Sequence, residues 1–483
     1  MPKRFRCVAL LLASLHLIHP AYAVQELPDL GEVSQSVFSE QTERRLGEAI
    51  MRELRASRAY YDDPEALDYL NSLGYRLAAH SGNNRQDFEF FLMRDDTLNA
   101  FALPGGYIGV HTGLLSAAQT ESELAGVLAH EIAHVTQRHI ARMVAAESRT
   151  TLTTLAALAV AILAARSNGQ VASAAVATAQ AGAIQSQLDF TRDNEREADR
   201  VGLKTLQAAG FDPRGMVTFF ERLQKYNRIY ENNAPSYLRT HPLTTERIAD
   251  MAARVAELPY RQVPDSPEFT LVRAKLRAQS GSAREAVAYF RDALREHRYA
   301  AELATRYGLA AALLRDGEIA AAWEEIERLK TRFPASHPMV ETLAGEILAA
   351  QGHAEALLAH YRQAMARFPA HRALIYGYAR ALLDVGRSAE ALALVENRLR
   401  ATPSDLRLYE LQARGYAQQG RVLLQHRALA EAEVLRGNLP AAIEHLQIAL
   451  KSGEGDFYQL SSVEARLKEL RARDAERRAE GGR

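Results

Sequence analysis

Glycines recur at a near-constant stride through the second half of the chain. Gly281, Gly317, Gly352, Gly386 and Gly420 stand 36, 35, 34 and 34 residues apart. Pro334, Pro369 and Pro403 keep the same step, and Ala286, Ala322, Ala356 and Ala391 each follow a glycine by four or five positions. Glycine supplies the left-handed residue that ends a helix, proline cannot continue one, and alanine lets two helices approach closely. The stride therefore predicts helix pairs repeated in tandem. One pair cannot bury its own apolar face, so successive pairs must stack.

A period near 34 with this punctuation is the tetratricopeptide signature, and it predicts a curved α-helical solenoid whose concave surface binds other proteins. A generic bundle has no reason to keep the period. Gly437 follows Gly420 by only 17 residues, which implies an altered terminal pair. Residues 471–483 are dense in charge and are expected to form a solvated, frayed tail. The Pro-rich stretch 258–267 separates this half from the one before it.

The first half carries His130-Glu131-Ile132-Ala133-His134. Residues four apart on a helix share a face, so both imidazoles can point at one metal ion while Glu131 takes a proton from a metal-bound water. The flanking Leu124, Val127, Leu128, Ile132 and Val135 are apolar at helical spacing and predict a mostly buried helix. Burying two histidines and a glutamate is costly unless something satisfies them, and a metal does so. A catalytic zinc needs a third protein ligand and an open fourth position. Glu195 is the candidate ligand, and Asp199, one turn on, is placed to accept from the far nitrogen of a ligating histidine and fix its orientation. Glu197 is the rival ligand, but position 201 is Val201, so no acid follows it by a turn.

With these pieces, together with Asn99-Ala-Phe-Ala-Leu-Pro-Gly-Gly106 and Thr240-His241-Pro242 followed by Arg247-Ile248, the chain resembles the M48 family of zinc metallopeptidases. Within that family it is similar to the periplasmic type that serves outer-membrane β-barrel assembly. The likeness spans about residues 30–255, and the helical half suits the same type. It implies a mainly α (α+β) fold: a zincin-like metallopeptidase domain with a small β-sheet, then the tetratricopeptide solenoid. It implies a zinc endopeptidase with one Zn2+ per chain, bound by His130, His134 and Glu195, with Glu131 as base. It also implies that the enzyme cleaves misassembled outer-membrane proteins and assists their assembly, with the β-barrel assembly machinery as a partner. The alternative is a chaperone or scaffold with a dispensable metal site; an intact Glu131 argues against it, because a structural zinc needs no base.

Phe88–Met93 and the stretch from Leu98 through Val110 predict a strand pair with a turn or bulge at Pro104-Gly105-Gly106. In zinc peptidases of this kind the edge strand can bind substrate backbone by strand addition, and Asn99 and Ala100 are its candidate substrate-binding residues. His241 is expected either to stabilise the oxyanion during hydrolysis or to occupy the open metal position and hold the enzyme inactive; a plain loop histidine is the third option. His80, His111 and His139 lack comparable spacing and are read as structural or surface residues.

Lys3, Arg4 and Arg6, an apolar stretch from Val8 to Ile18 and Ala21-Tyr22-Ala23 predict a cleaved export signal over residues 1–23, and so a periplasmic protein. Its loss would leave 56 basic against 59 acidic side chains, a balance that disfavours nucleic acid as a partner. It would also remove Cys7, the one cysteine, and with it any disulfide. Residues 152–165 and 171–184 are Ala-rich and too short to span a bilayer, and are expected to form a mobile helix or lid rather than an anchor. The expected division is 1–23 signal, 24–260 peptidase, 268–470 repeats and 471–483 tail.

Overall fold

The computed structural model describes residues 38–82, 87–146, 192–229, 237–238, 241–335 and 337–481. The expected export signal and the Ala-rich runs 152–165 and 171–184 lie outside them. Helices α1 (Glu40–Ala56) and α2 (Pro64–Ala78) come first. Asp63 caps α2 by accepting from the amides of Glu65 and Ala66, and Pro64 fills the first turn, where a missing N–H does no harm.

Strands β1 (Glu89–Met93), β2 (Ala100–Leu103) and β3 (Tyr107–His111) form one sheet in the order β1-β3-β2. The sequence predicts a pair; the described residues form three strands, because the stretch around Pro104-Gly105-Gly106 folds as a hairpin. Strand β2 runs antiparallel to β3, and β1 runs parallel to it. Both turn glycines have positive φ, 82° and 86°, and a Cβ on Gly105 would stand 2.8 Å from the Arg44 Cα. Phe90, Leu92, Ala102, Ile108 and Val110 face the main core, whereas Phe91, Met93, Phe101, Leu103 and Tyr107 pack with α1. Both faces being covered, the strands read as continuous apolar runs rather than alternating ones.

Helix α3 (Thr112–Ala117) leads to α4 (Glu121–Thr136), which carries the His130–His134 motif, and then to α5 (His139–Ala146). Helices α6 (Arg192–Ala208), α7 (Arg214–Ile229) and α8 (Thr245–Ala256) complete this half. Helix α4 is the central element, buried along nearly its whole length between β2, α2, α6 and α7. Two glycines make that packing close. A Cβ on Gly126 would lie 2.8 Å from the Met216 Cβ of α7, and one on Gly202 of α6 would lie 3.1 Å from the His130 backbone nitrogen. The second contact is what lays Glu195 and Asp199 against the motif.

The second half is an array of helices: α9 (Pro267–Gln279), α10 (Ala283–Arg295), α11 (Glu302–Asp316), α12 (Ile319–Arg332), α13 (Pro338–Ala350) and α14 (Ala354–Arg367). It continues through α15 (Arg372–Asp384), α16 (Ser388–Ala401), α17 (Leu406–Gln418), α18 (Val422–Leu435), α19 (Leu439–Lys451) and α20 (Phe457–Gly481). The periodic glycines end helices with positive φ, for example 81° at Gly317 and 75° at Gly352. The expected frayed tail from residue 471 is corrected: α20 runs through Gly481. Asp474 is buried and takes Arg477 and Arg478, and Arg477 reaches back to the Gly437 carbonyl.

The two halves are stitched together at the start of α4. The Glu121 amide donates to Asp265, and the Glu121 carboxylate accepts from the amide and hydroxyl of Ser266, the residue that caps α9. A second seam runs along α2, where Lys275, His371, Arg372 and Arg407 meet Asp63, Glu65, Asp68 and Asp62. No helix among the described residues is long and apolar enough to cross a membrane.

Candidate metal centre

His130 and His134 present their Nε2 atoms 3.0 Å apart on the buried face of α4. Glu195 arrives from α6 with one carboxylate oxygen 3.5 Å from His130 Nε2 and the other 3.4 Å from His134 Nε2. His241 closes the group, its Nδ1 3.0 Å from Glu195 Oε1. One donor atom from each of these four buried residues falls within 4.8 Å of all the others. Three imidazoles and a carboxylate converging at that spacing suit zinc, which favours four nitrogen, sulfur or oxygen donors.

The outer nitrogens of the two motif histidines are occupied, which turns the Nε2 atoms inward. His130 Nδ1 lies 3.1 Å from Asp199 Oδ1. His134 Nδ1 lies 2.9 Å from His139 Nδ1, and the His139 Nε2 faces Glu197 at 3.2 Å. Arg247 of α8 holds the acids in place, giving Asp199 two hydrogen bonds of 2.7 Å and approaching Glu195 Oε2 at 2.7 Å. Partners of this kind set the tautomer and aim of a metal ligand.

Burial dominates the electrostatics of the cluster. It disfavours charge on His130, yet hydrogen bonds to Asp199 and Glu195 outweigh it and raise the ring to about 9. Burial pushes His134 well down and lowers His139 to about 4. For Glu195, burial is overcome by His241 and the motif histidines, which hold the carboxyl well below its usual range. Glu131 goes the other way. Burial raises its carboxyl, against opposition from His241, His130 and the Ala102 amide. Its carboxylate is fully buried and 3.6 Å from His241 Nε2.

His130, His134, Glu195 and His241 converge, with Glu131 and Asp199 beside them. Asn99 and Ala100 stand at the head of β2, on the sheet edge; the β2 group that acts on Glu131 is the Ala102 amide. His111 sits among Thr97 and Asp95, and His80 bonds the Arg76 carbonyl. His139, read from sequence as structural or surface, is buried and backs His134. Arg247 was visible only as part of a motif, and Tyr237, which stacks on His241 at 4.6 Å, gave no signal in the sequence.

The description "Peptidase family M48" fits residues 64–255, and "Tetratricopeptide repeat" fits residues 348–415. The chain is 32% identical over 447 residues to the putative beta-barrel assembly-enhancing protease of Vibrio cholerae, covering 92% of each protein. It is 32% identical over 469 residues to the beta-barrel assembly-enhancing protease of Escherichia coli K12, covering 96% of each. It also matches the mitochondrial metalloendopeptidase OMA1 of Schizosaccharomyces pombe, 35% identical over 37% of this chain and 50% of that one.

Proposed function

Because the chain belongs to peptidase family M48, a family of zinc-dependent metallopeptidases, we propose that it is a periplasmic endopeptidase that cleaves misassembled outer-membrane proteins and assists their assembly. The observation that carries this reading is the buried four-donor cluster with a carboxylate of raised basicity at its side. In this reading His130, His134 and Glu195 hold one Zn2+, and Asp199 and His139 fix the imidazoles. Zinc, when bound, supplies Lewis-acid activation of water and of the scissile carbonyl.

Glu131 is the general base in this account, accepting a proton from the attacking water and passing it to the leaving amine. Raising a carboxyl toward neutrality suits that double role. The β2 edge offers backbone groups for an extended substrate, next to Glu131, as strand addition requires. His241, packed on Tyr237, would serve either as a further donor that holds the site inactive or as the group that donates to the oxyanion. The helical array recruits clients and docks on the assembly machinery; it occupies residues 268–470, after a peptidase domain over 24–260, with the signal at 1–23 removed on export.

The test is Glu131→Gln assayed on a denatured outer-membrane β-barrel protein. General-base loss lowers the rate by about 100-fold or more, with zinc content and thermal stability kept. Cleavage at the unaltered rate would reject the mechanism.

A further inference from the structure

A pocket of about 220 Å³ opens where the first helix pair meets α3, and it shares no lining residue with the metal cluster. Its polar lining is one-sided. Arg273, Arg277 and Arg298 border it, with Tyr289 and Tyr299, and among the described residues no acid does. Arg273 is the innermost cation. Its Nη2 donates to the Ser116 carbonyl at 3.3 Å and its guanidinium lies 5.1 Å over the Phe269 ring, while its buried Nε has no hydrogen-bond partner among the described residues. The acids that act on it, Asp265 and Glu123, are engaged elsewhere, with the Glu121 amide and with Arg222. Arg277 lies 4.3 Å over the Tyr289 ring. Arg298, at the mouth, pairs with Glu296.

The repeat pattern breaks at this place. Counting 35 residues back from Pro334 gives Tyr299, so the first repeat has a tyrosine where the next three have proline. The connection from α10 to α11 spans 296–301, longer than the 368–371 and 402–405 connections of later pairs. His297 within it has a φ of 53°, one of two described non-glycine residues with positive φ. Backbone of this kind persists where surrounding structure enforces it, and it concentrates at binding sites. Here it carries Arg298 and Tyr299 to the pocket.

We propose that this pocket binds a carboxylate of an unfolded client polypeptide, with the adjoining client side chain resting on the Tyr289 and Tyr299 rings. Guanidinium forks match carboxylates, and the aromatic and alanine walls favour a peptide over a bare inorganic anion. The proposal rests on the recruitment part of the function above but not on cleavage, so the two can fail separately. The carboxylate comes either from a chain terminus or from an Asp or Glu side chain.

The experiment uses the full-length zinc-loaded protein and fluorescein-labelled hexapeptides followed by anisotropy. One peptide ends Leu-Phe with a free carboxylate, a second is its amide, and a third is an amide with an internal Glu. An acid-bearing peptide should bind at least about tenfold more tightly than the neutral amide. Tighter binding of the free acid identifies a chain terminus; tighter binding of the Glu peptide identifies a side chain. Arg277→Gln and Arg298→Gln, both away from the Arg273 contacts that support the fold, should each weaken that peptide by severalfold with an unchanged melting transition. Equal binding of all three peptides would overturn the proposal even if proteolysis is intact. So would full indifference to both substitutions, or displacement by inorganic phosphate at concentrations below those of the peptide.

Discussion

Glu65 sits in the first turn of α2, only 4% exposed, and joins the two halves of the molecule. Its carboxylate receives Lys275 Nζ of α9 at 2.7 Å and His371 Nε2 of α15 at 2.9 Å. Burial alone would raise its carboxyl; Lys275 and then His371 outweigh burial and pull it from 4.5 down to about 2. At about 1.4 kcal/mol for each tenfold change, that drop is worth about 3 kcal/mol. Glu65→Gln keeps the shape and removes the charge. Lys275 retains Asp63 at 2.6 Å, so the expected loss is about 2–3 kcal/mol, short of a fully orphaned buried cation. Urea unfolding of the single and double variants with Lys275→Met should give a coupling energy of about 2 kcal/mol. A depressed carboxyl contributes stability that is complete above its unfolded value and lost as pH falls through its folded one. The gap between wild type and Glu65→Gln should therefore be in place near pH 6 and shrink between about 4.5 and 2. A coupling energy under about 0.5 kcal/mol, or a gap that stays unchanged on acidification, would refute the assignment of Glu65 as the clamp.

Two further substitutions probe the metal centre. Arg247→Lys keeps a positive charge but loses the paired hydrogen bonds to Asp199; zinc affinity, measured by competition with a chromophoric chelator, should fall about 10- to 100-fold. His241→Ala should leave bound zinc near its wild-type level while altering peptidase activity, read by zinc content and turnover on the same sample; lost zinc with no other change would make His241 a required ligand.

The sequence made some of this architecture visible and concealed the rest for definable reasons. Helical spacing was enough to bring His130 to His134 and Glu195 to Asp199, because each pair is local. That the two pairs face one another depends on Gly202 lying against the His130 backbone, a contact between elements 72 positions apart that no window of sequence contains. The link from His139 to His134 was hidden because Arg138 takes a φ of 52°; that turn breaks the helix and swings the next residue back onto His134, which an uninterrupted helical wheel does not do. The third strand was hidden by continuous apolar character, since strands covered on both faces carry no alternation. The repeats announced themselves through glycine and proline. The end of the last helix did not: most of its charged side chains are exposed, and what anchors it is one buried acid, Asp474, with Arg477 reaching the Gly437 carbonyl.

The central claim is that two neighbouring imidazoles and the distant Glu195 carboxylate jointly hold one zinc. Elemental analysis of the purified protein, kept from chelators and grown with ample zinc, measures this directly for wild type, Glu131→Gln and Glu195→Gln. One equivalent of zinc in the first two and a loss of most of it in the third is the predicted result. Wild-type protein without stoichiometric zinc, or full retention in Glu195→Gln, would contradict the account.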